Sequence, residues 1–220
     1  MITDKDIAEL CVGSYGTPAI SWDFWEDGTT NDGVKYGVKI IDGIDVIILP
    51  GSEVMLDWRR DLDTFPETAT NHPQLGQLHT GFYTGMEQTW QKIKSRNRSK
   101  RIGGAHSLGA SRLRILAGLA VIDQQPPIAC ITFGEPKAGM QQLADITKSV
   151  SGRTYRNGGT LFHDPVTDVP YFLPPKLLFI HDREFTLVSN SPPSDDEWGF
   201  FSYHHIPLYA EVTPATLIVS

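Results

Sequence analysis

Residues 101–123 constrain this chain more than any other stretch. Arg101–His106 reads as a short strand, Ser107-Leu108-Gly109 as a cramped junction, and Ala110–Asp123 as a strongly apolar helix. A strand running straight into a long helix is the repeating unit of α/β architecture, in which crossovers lay helices on the faces of a parallel sheet. The surrounding chain repeats the unit. Val34–Ile41 and Ile44–Leu49 read as two strands joined by an Asp42-Gly43 turn, and the second is nearly all apolar, as a strand covered on both faces must be. Gly81–Lys94 reads as a helix, Ile128–Phe133 as a strand and Gly139–Val150 as a helix. Leu177–Ile180 and Phe185–Val188 read as late strands around Asp182-Arg183, and Thr3 as the cap of a first helix reaching about Val12. The expectation is one α/β domain over residues 1–220, with a mostly parallel central sheet and helices on both faces.

Composition narrows the function classes. The 220 residues are 40% hydrophobic and carry a formal net charge of −7, an acidic balance that argues against a nucleic-acid binder. The one basic stretch holds Lys92, Lys94, Arg96, Arg98, Lys100 and Arg101 with no aromatic residue between them. It reads as the solvated end of a helix in preference to an anion-binding patch. No apolar run is long enough for a transmembrane segment, and Met1-Ile-Thr-Asp-Lys-Asp6 lacks the layout of a secretory signal, so the sequence as written predicts a cytoplasmic protein, with secretion or release by lysis as the alternative. Cys11 and Cys130 make no disulfide framework, and Cys130, inside Ile128–Phe133, reads as buried and inert. No H-E-x-x-H or C-x-x-C occurs, and neither metal nor cofactor is expected.

The string Gly103-Gly-Ala-His-Ser-Leu-Gly-Ala-Ser111 carries the chemistry. Its core, Ala105–Gly109, is the pattern G-x-S-x-G with alanine at the first position. A serine on a sharp strand-to-helix turn exposes its Oγ, and bulky residues on either side would collide there. The helix after the turn aims backbone N–H groups at any oxyanion formed at that serine. Ser107 is therefore the candidate nucleophile.

Further strings occur in a telling order. They are Leu49-Pro-Gly-Ser52, Leu78-His-Thr-Gly-Phe82, Thr132-Phe-Gly-Glu-Pro-Lys137, Asp164-Pro-Val-Thr-Asp-Val-Pro170 and His204-His-Ile-Pro-Leu-Tyr209. With the serine string they resemble the class 3 lipase family, the fungal-type triacylglycerol lipases and their relatives, over residues from about 44 to 210. Pro50 and Lys137 stand where the family usually has arginine, and Ala105 where it has glycine. The resemblance implies the α/β-hydrolase fold and a triad of Ser107, Asp164 and His204. It implies oxyanion N–H donors from Ser52 and Leu108, and a structural role for His79. It also implies ester hydrolysis through an acyl-enzyme, with acylglycerol or other lipid esters as substrates. Asp168 and Asp145 compete for the acid role and His205 for the base, with Asp164 and His204 preferred. A short-chain or feruloyl-type esterase or a phospholipase on the same scaffold is the alternative activity, and a non-catalytic binding relative the alternative class.

Between Ser52 and His79 lies the segment where the family carries its lid, here at about 52–73. Met55, Trp58, Leu62 and Phe65 recur at spacings of three, four and three, placing them on one helical face with charged residues around the rest. Such a helix either docks permanently on the core or turns its apolar face to a lipid surface, and the resemblance favours the lid. Pro66 and the polar run from Glu67 to Pro73 would end that helix and bear its hinge. Lipid-surface contact through the lid is the expected partner interaction beside the ester substrate.

Overall fold

The computed structural model describes residues 1–16, 20–28, 34–52, 66–96, 98–159, 162–170, 179–190 and 199–219. The strands are β1 (Ile2–Thr3), β2 (Phe24–Asp27), β3 (Lys35–Ile41), β4 (Ile44–Leu49), β5 (Pro66–Thr68), β6 (Gln77–His79), β7 (Arg101–His106), β8 (Ala129–Phe133), β9 (Gly152–Asn157), β10 (Phe185–Val188) and β11 (Leu217–Val219). The α-helices are α1 (Asp4–Gly13), α2 (Thr80–Tyr83), α3 (Met86–Ser95), α4 (Leu108–Ile122), α5 (Gln141–Thr147) and α6 (Ile206–Val212).

Among the described residues, seven strands form the central sheet in the order β10-β9-β8-β7-β4-β3-β2. The run from β10 to β4 is parallel throughout, and β3 and β2 extend it antiparallel. The turn between β3 and β4 has Asp42 at φ 52° and Gly43 at φ 78°, the paired positive angles of a tight hairpin whose twist matches its strands. Successive residues of β4 feed opposite faces. Ile47 and Leu49 enter the apolar cluster with Leu113, Leu116 and Ala117 of α4, while Ile44, Val46 and Ile48 enter the one with Ile7 and Cys11 of α1 and Tyr209 of α6. The polar member of that strand, Asp45, is fully buried and ion-paired with Arg96 and Arg98 at 3.3 and 3.0 Å. The sheet is thus covered on both faces, as the alternating pattern requires, and among the described residues no helix is long and apolar enough to cross a membrane.

Several boundaries differ from expectation. The helix read over Gly81–Lys94 is two, broken between α2 and α3 where Gly85 takes φ 81°, a left-handed setting that ends one helix and starts the next. The helix read over Gly139–Val150 shortens to α5. Of the strand read over Leu177–Ile180, residues 177 and 178 lie outside the described residues, and Ile180 makes only an isolated bridge to Gly139. Thr3 caps α1 in a reciprocal box with Asp6, as its position predicts.

The basic stretch is largely consumed in pairing. Besides the two arginines on Asp45, Lys92 meets Glu26 at 3.3 Å, Lys94 meets Asp123 at 2.9 Å, and the Arg101 guanidinium lies 5.4 Å over the Trp90 ring. Cys11 and Cys130 are both buried, and burial pushes the Cys130 thiol up to about 11, far from thiolate chemistry.

Candidate active site

The parallel strands end in register. Leu49 pairs with Ala105, His106 with Phe133, and Phe133 with Tyr155, so the segments leaving β4, β7, β8 and β9 are delivered to one edge of the sheet. Carboxyl ends of parallel strands are where open α/β sheets present their ligand sites.

Ser107 occupies the turn from β7 into α4 with φ 61° and ψ −133°. A non-glycine residue in that region costs about 1–3 kcal/mol and persists only where its surroundings hold it. Here its N–H donates to the Phe133 carbonyl at 3.0 Å and its carbonyl accepts from Ala110 N–H at 2.8 Å, pinning the turn from both sides. Ala105 lies within β7 and keeps negative φ, so the alanine at this position of the pattern is accommodated. Gly109 has no such latitude. A Cβ there would stand 2.1 Å from the Leu49 carbonyl oxygen and 2.5 Å from that of Pro50, because the end of β4 crosses directly over the start of α4. That crossing brings Pro50-Gly51-Ser52 to the elbow. Leu108 is the first residue of α4 and is buried; Ser52 is half-buried.

Asp164 and His204 meet. The Nδ1 of His204 lies 2.7 Å from Asp164 Oδ2, and both side chains are buried. An ionised carboxylate only accepts, so the ring carries its proton on Nδ1 and its basic nitrogen is Nε2. Two more donors converge on the same carboxylate: the Tyr209 hydroxyl on Oδ2 at 2.6 Å and the Val166 N–H on Oδ1 at 2.9 Å. Asp164 is itself held to the end of β9 through its N–H and the Asn157 carbonyl at 2.9 Å. His106, next to Ser107, stacks on His204 with ring centroids 4.6 Å apart. Burial, with a smaller contribution from the neighbouring His204, holds His106 well below the usual histidine range.

The rival residues are placed elsewhere. Asp168 is half-exposed and meets His163 Nε2 at 2.8 Å. Asp145 lies on the solvent side of α5, paired with Lys148. His205 is exposed at the start of α6 while its neighbour points inward. His79 is buried and stacks on Phe82 with centroids 4.1 Å apart. Met55, Trp58, Leu62 and Phe65 lie outside the described residues. The run from Pro66 to Pro73, read as ending the lid helix and bearing its hinge, is tied to the body. Pro66–Thr68 pairs antiparallel with Gln77–His79, and Glu87 on α3 receives Asn71 and His72. Burial alone would raise the Glu87 carboxyl, but hydrogen bonds with Tyr83, His72 and Asn71 outweigh it and hold it down at about 2.

Sequence reasoning missed Tyr15. Its hydroxyl accepts from Gly51 N–H at 2.7 Å and meets His106 Nδ1 at 2.8 Å, although it sits just past α1 in a stretch with no local signal for a role at the far edge of the sheet.

The doubly covered, mostly parallel sheet with a strained serine at a strand-to-helix turn defines an α/β-hydrolase. The family model for lipases of class 3 matches residues 46–173, more than half of the sequence, and the chain belongs to that family of carboxylic ester hydrolases. No curated protein matches the sequence significantly. Among solved structures, the triacylglyceride lipase of Rhizomucor miehei is similar at 19% identity over 83% of this chain and 77% of that one, with a TM-score of 0.61. A triacylglycerol lipase from Penicillium expansum is similar at 15% identity over 84% and 77%, with a TM-score of 0.60. A mono- and diacylglycerol lipase from Aspergillus oryzae is similar at 16% identity over 90% and 71%, with a TM-score of 0.61. At such identities the likeness is one of fold.

Proposed function

We propose that the chain hydrolyses acylglycerol-type esters through Ser107 as nucleophile, His204 as general base and Asp164 as the group that orients it. The observation that carries this reading is the buried His204–Asp164 pair, formed across 40 residues of chain at the same sheet edge as the strained serine. Nε2 of His204 takes the proton from Ser107 as Oγ attacks the ester carbonyl. The N–H groups of Leu108 and Ser52 receive the developing oxyanion, and the imidazolium returns its proton to the departing alcohol. Water then repeats the sequence on the acyl-enzyme, and the serine is restored with release of the acid. Asp164 stays ionised throughout, fixing the Nδ1–H tautomer and stabilising the imidazolium. The substrate class rests on the family and on fold neighbours named for hydrolysis of mono-, di- and triacylglycerols.

The test is labelling by a fluorophosphonate probe followed by turnover of p-nitrophenyl esters of graded chain length, with and without emulsified lipid. Ser107→Ala abolishes labelling and lowers turnover by roughly six orders of magnitude. Near-wild-type turnover in that variant refutes the mechanism, and a profile confined to short soluble esters refutes the acylglycerol assignment.

A further inference from the structure

The elbow is tied to a residue that lies outside the family-matched span. Tyr15 stands just beyond α1, and residues 46–173 are those the family model covers. Its hydroxyl joins a chain of hydrogen bonds whose direction the chemistry fixes. His106 Nε2 lies 2.7 Å from the His204 carbonyl oxygen, which can only accept, so the ring proton is on Nε2. Nδ1 then offers a lone pair, and the Tyr15 O–H donates to it at 2.8 Å. With its proton committed there, the phenol oxygen accepts from Gly51 N–H at 2.7 Å. The order is therefore Gly51 N–H to Tyr15, Tyr15 O–H to His106, and His106 N–H to the main chain of His204. One end of the series is the Pro50–Gly51 peptide, one residue before the Ser52 N–H, and the other is the backbone of His204. The fit around Gly51 is tight: a Cβ there would lie 2.6 Å from the Tyr15 hydroxyl oxygen and 2.6 Å from Ser107 Cβ.

We propose that Tyr15 and His106 are positioning residues that fix the Pro50–Gly51 peptide, immediately before the Ser52 N–H, relative to His204, and so set the geometry between oxyanion donor and base. The proposal rests on the catalytic reading above. Neither side chain needs to touch the ester. The relay aligns a donor whose worth lies in the transition state, so its loss lowers turnover and leaves ground-state binding nearly unchanged. The neutral ring suits the task. Burial keeps His106 deprotonated at one nitrogen, and a second proton would turn Nδ1 from acceptor to donor and break the order at Tyr15.

The test compares Tyr15→Phe with the wild-type chain, with active serines counted by fluorophosphonate titration. The phenyl ring keeps its volume, so the substitution removes the hydroxyl's hydrogen bonds and little else. Expected is a fall in kcat per titrated serine of about tenfold with KM within about twofold, and weaker binding of a trifluoromethyl ketone, a tetrahedral-state mimic, by the same factor as kcat. His106→Asn, which keeps an acceptor near Nδ1, retains more activity than His106→Ala, and adding Tyr15→Phe to His106→Ala costs little further. Unchanged kcat per titrated serine in Tyr15→Phe overturns the relay, as does full additivity of the two substitutions. If Ser107→Ala keeps wild-type turnover, the catalytic reading falls and the relay with it. Labelled, active enzyme indifferent to Tyr15→Phe removes the relay alone.

Discussion

Tyr209 and His204 share one oxygen of Asp164: the phenol donates at 2.6 Å and the imidazole at 2.7 Å. The same tyrosine accepts from the Asn157 N–H at the end of β9, at 3.0 Å. Asp164 is therefore braced against the sheet by the side chain five residues beyond the histidine it meets. Tyr209→Phe should release one donor from the carboxylate and leave the buried Asn157 N–H unpaired. We expect kcat to fall by about tenfold, and stability by roughly 1–3 kcal/mol, the cost of a buried polar group left without a partner. Turnover per titrated serine and a denaturant melt measure the two effects separately.

Replacing Asp164, the proposed acid, tests the tautomer argument. In Asp164→Asn the amide can present a donor to Nδ1, which favours the proton on Nε2 and removes the base. The expected loss is about four orders of magnitude in kcat. Asp168→Asn should stay within about threefold of wild type, because that carboxylate is half in solvent and engaged with His163. A larger loss in Asp168→Asn than in Asp164→Asn would reverse the assignment.

Much of this was written locally in the chain. The elbow is legible because its requirement is local: Ala105, Ser107 and Gly109 meet a steric condition that neighbouring backbone imposes. The hairpin at Asp42-Gly43 and the cap at Thr3 are legible for the same reason. Contacts settled by distant partners are not. Strand β9, Gly152–Asn157, is polar in sequence, yet Arg153 pairs with Asp4 and Thr154 joins Arg114, so its burial depends on groups far along the chain. Strand β1 pairs with β11 from the other end of the sequence, and no periodicity announces that. The break at Gly85 is hidden by apolar spacing that runs across it, from Phe82 to Met86, Trp90 and Ile93. The meeting of Asp164 with His204 follows the order of the motifs, whereas Tyr15 has only its position after a helix, and nothing in that says which edge of the sheet the hydroxyl will reach.

Buried neutral histidines make stability depend on pH in a stated direction. Burial lowers both His106 and His181 in the folded chain, while the unfolded chain protonates its histidines near the ordinary value of about 6.5. Below that value the unfolded state binds more protons, so stability falls with falling pH and is complete above it. Each ring adds up to about 1.4 kcal/mol per pH unit to the slope. His106→Gln keeps a donor toward the His204 carbonyl and cannot titrate, and should remove up to about one proton from the slope between about pH 5 and pH 6.5. Denaturant melts across that range give the proton count, and an unchanged slope would show that His106 binds its proton equally in both states.

The largest stability effect is expected at Arg114. Its guanidinium is buried and receives Glu135 through Nε and Nη2 at 3.0 and 2.8 Å, with Asp182 at 2.9 Å from Nη1. Thr132 Oγ1 donates to Glu135 at 2.6 Å, and Thr147 Oγ1 to Asp182 at 2.9 Å, so two carboxylates from different turns are gathered on one cation. Glu135 comes after β8 in the Thr132–Lys137 turn, and Lys137 Nζ in turn donates to the Asp168 carbonyl at 2.9 Å, reaching the loop that carries Asp164. Arg114→Met fills the volume but strands Glu135 in the core and leaves Asp182 to Arg183, 2.9 Å away. Breaking a buried ion pair in this way costs about 3–5 kcal/mol, which for a chain of this size lowers Tm by on the order of 10 °C. Glu135→Gln, which leaves the second carboxylate on the arginine, should cost less. The difference lies in charge: one variant leaves a buried anion stripped of its cation, the other leaves the Arg114–Asp182 pair intact. Thermal melts of the two variants decide it, and equal losses would mean that Asp182 contributes nothing to holding the arginine.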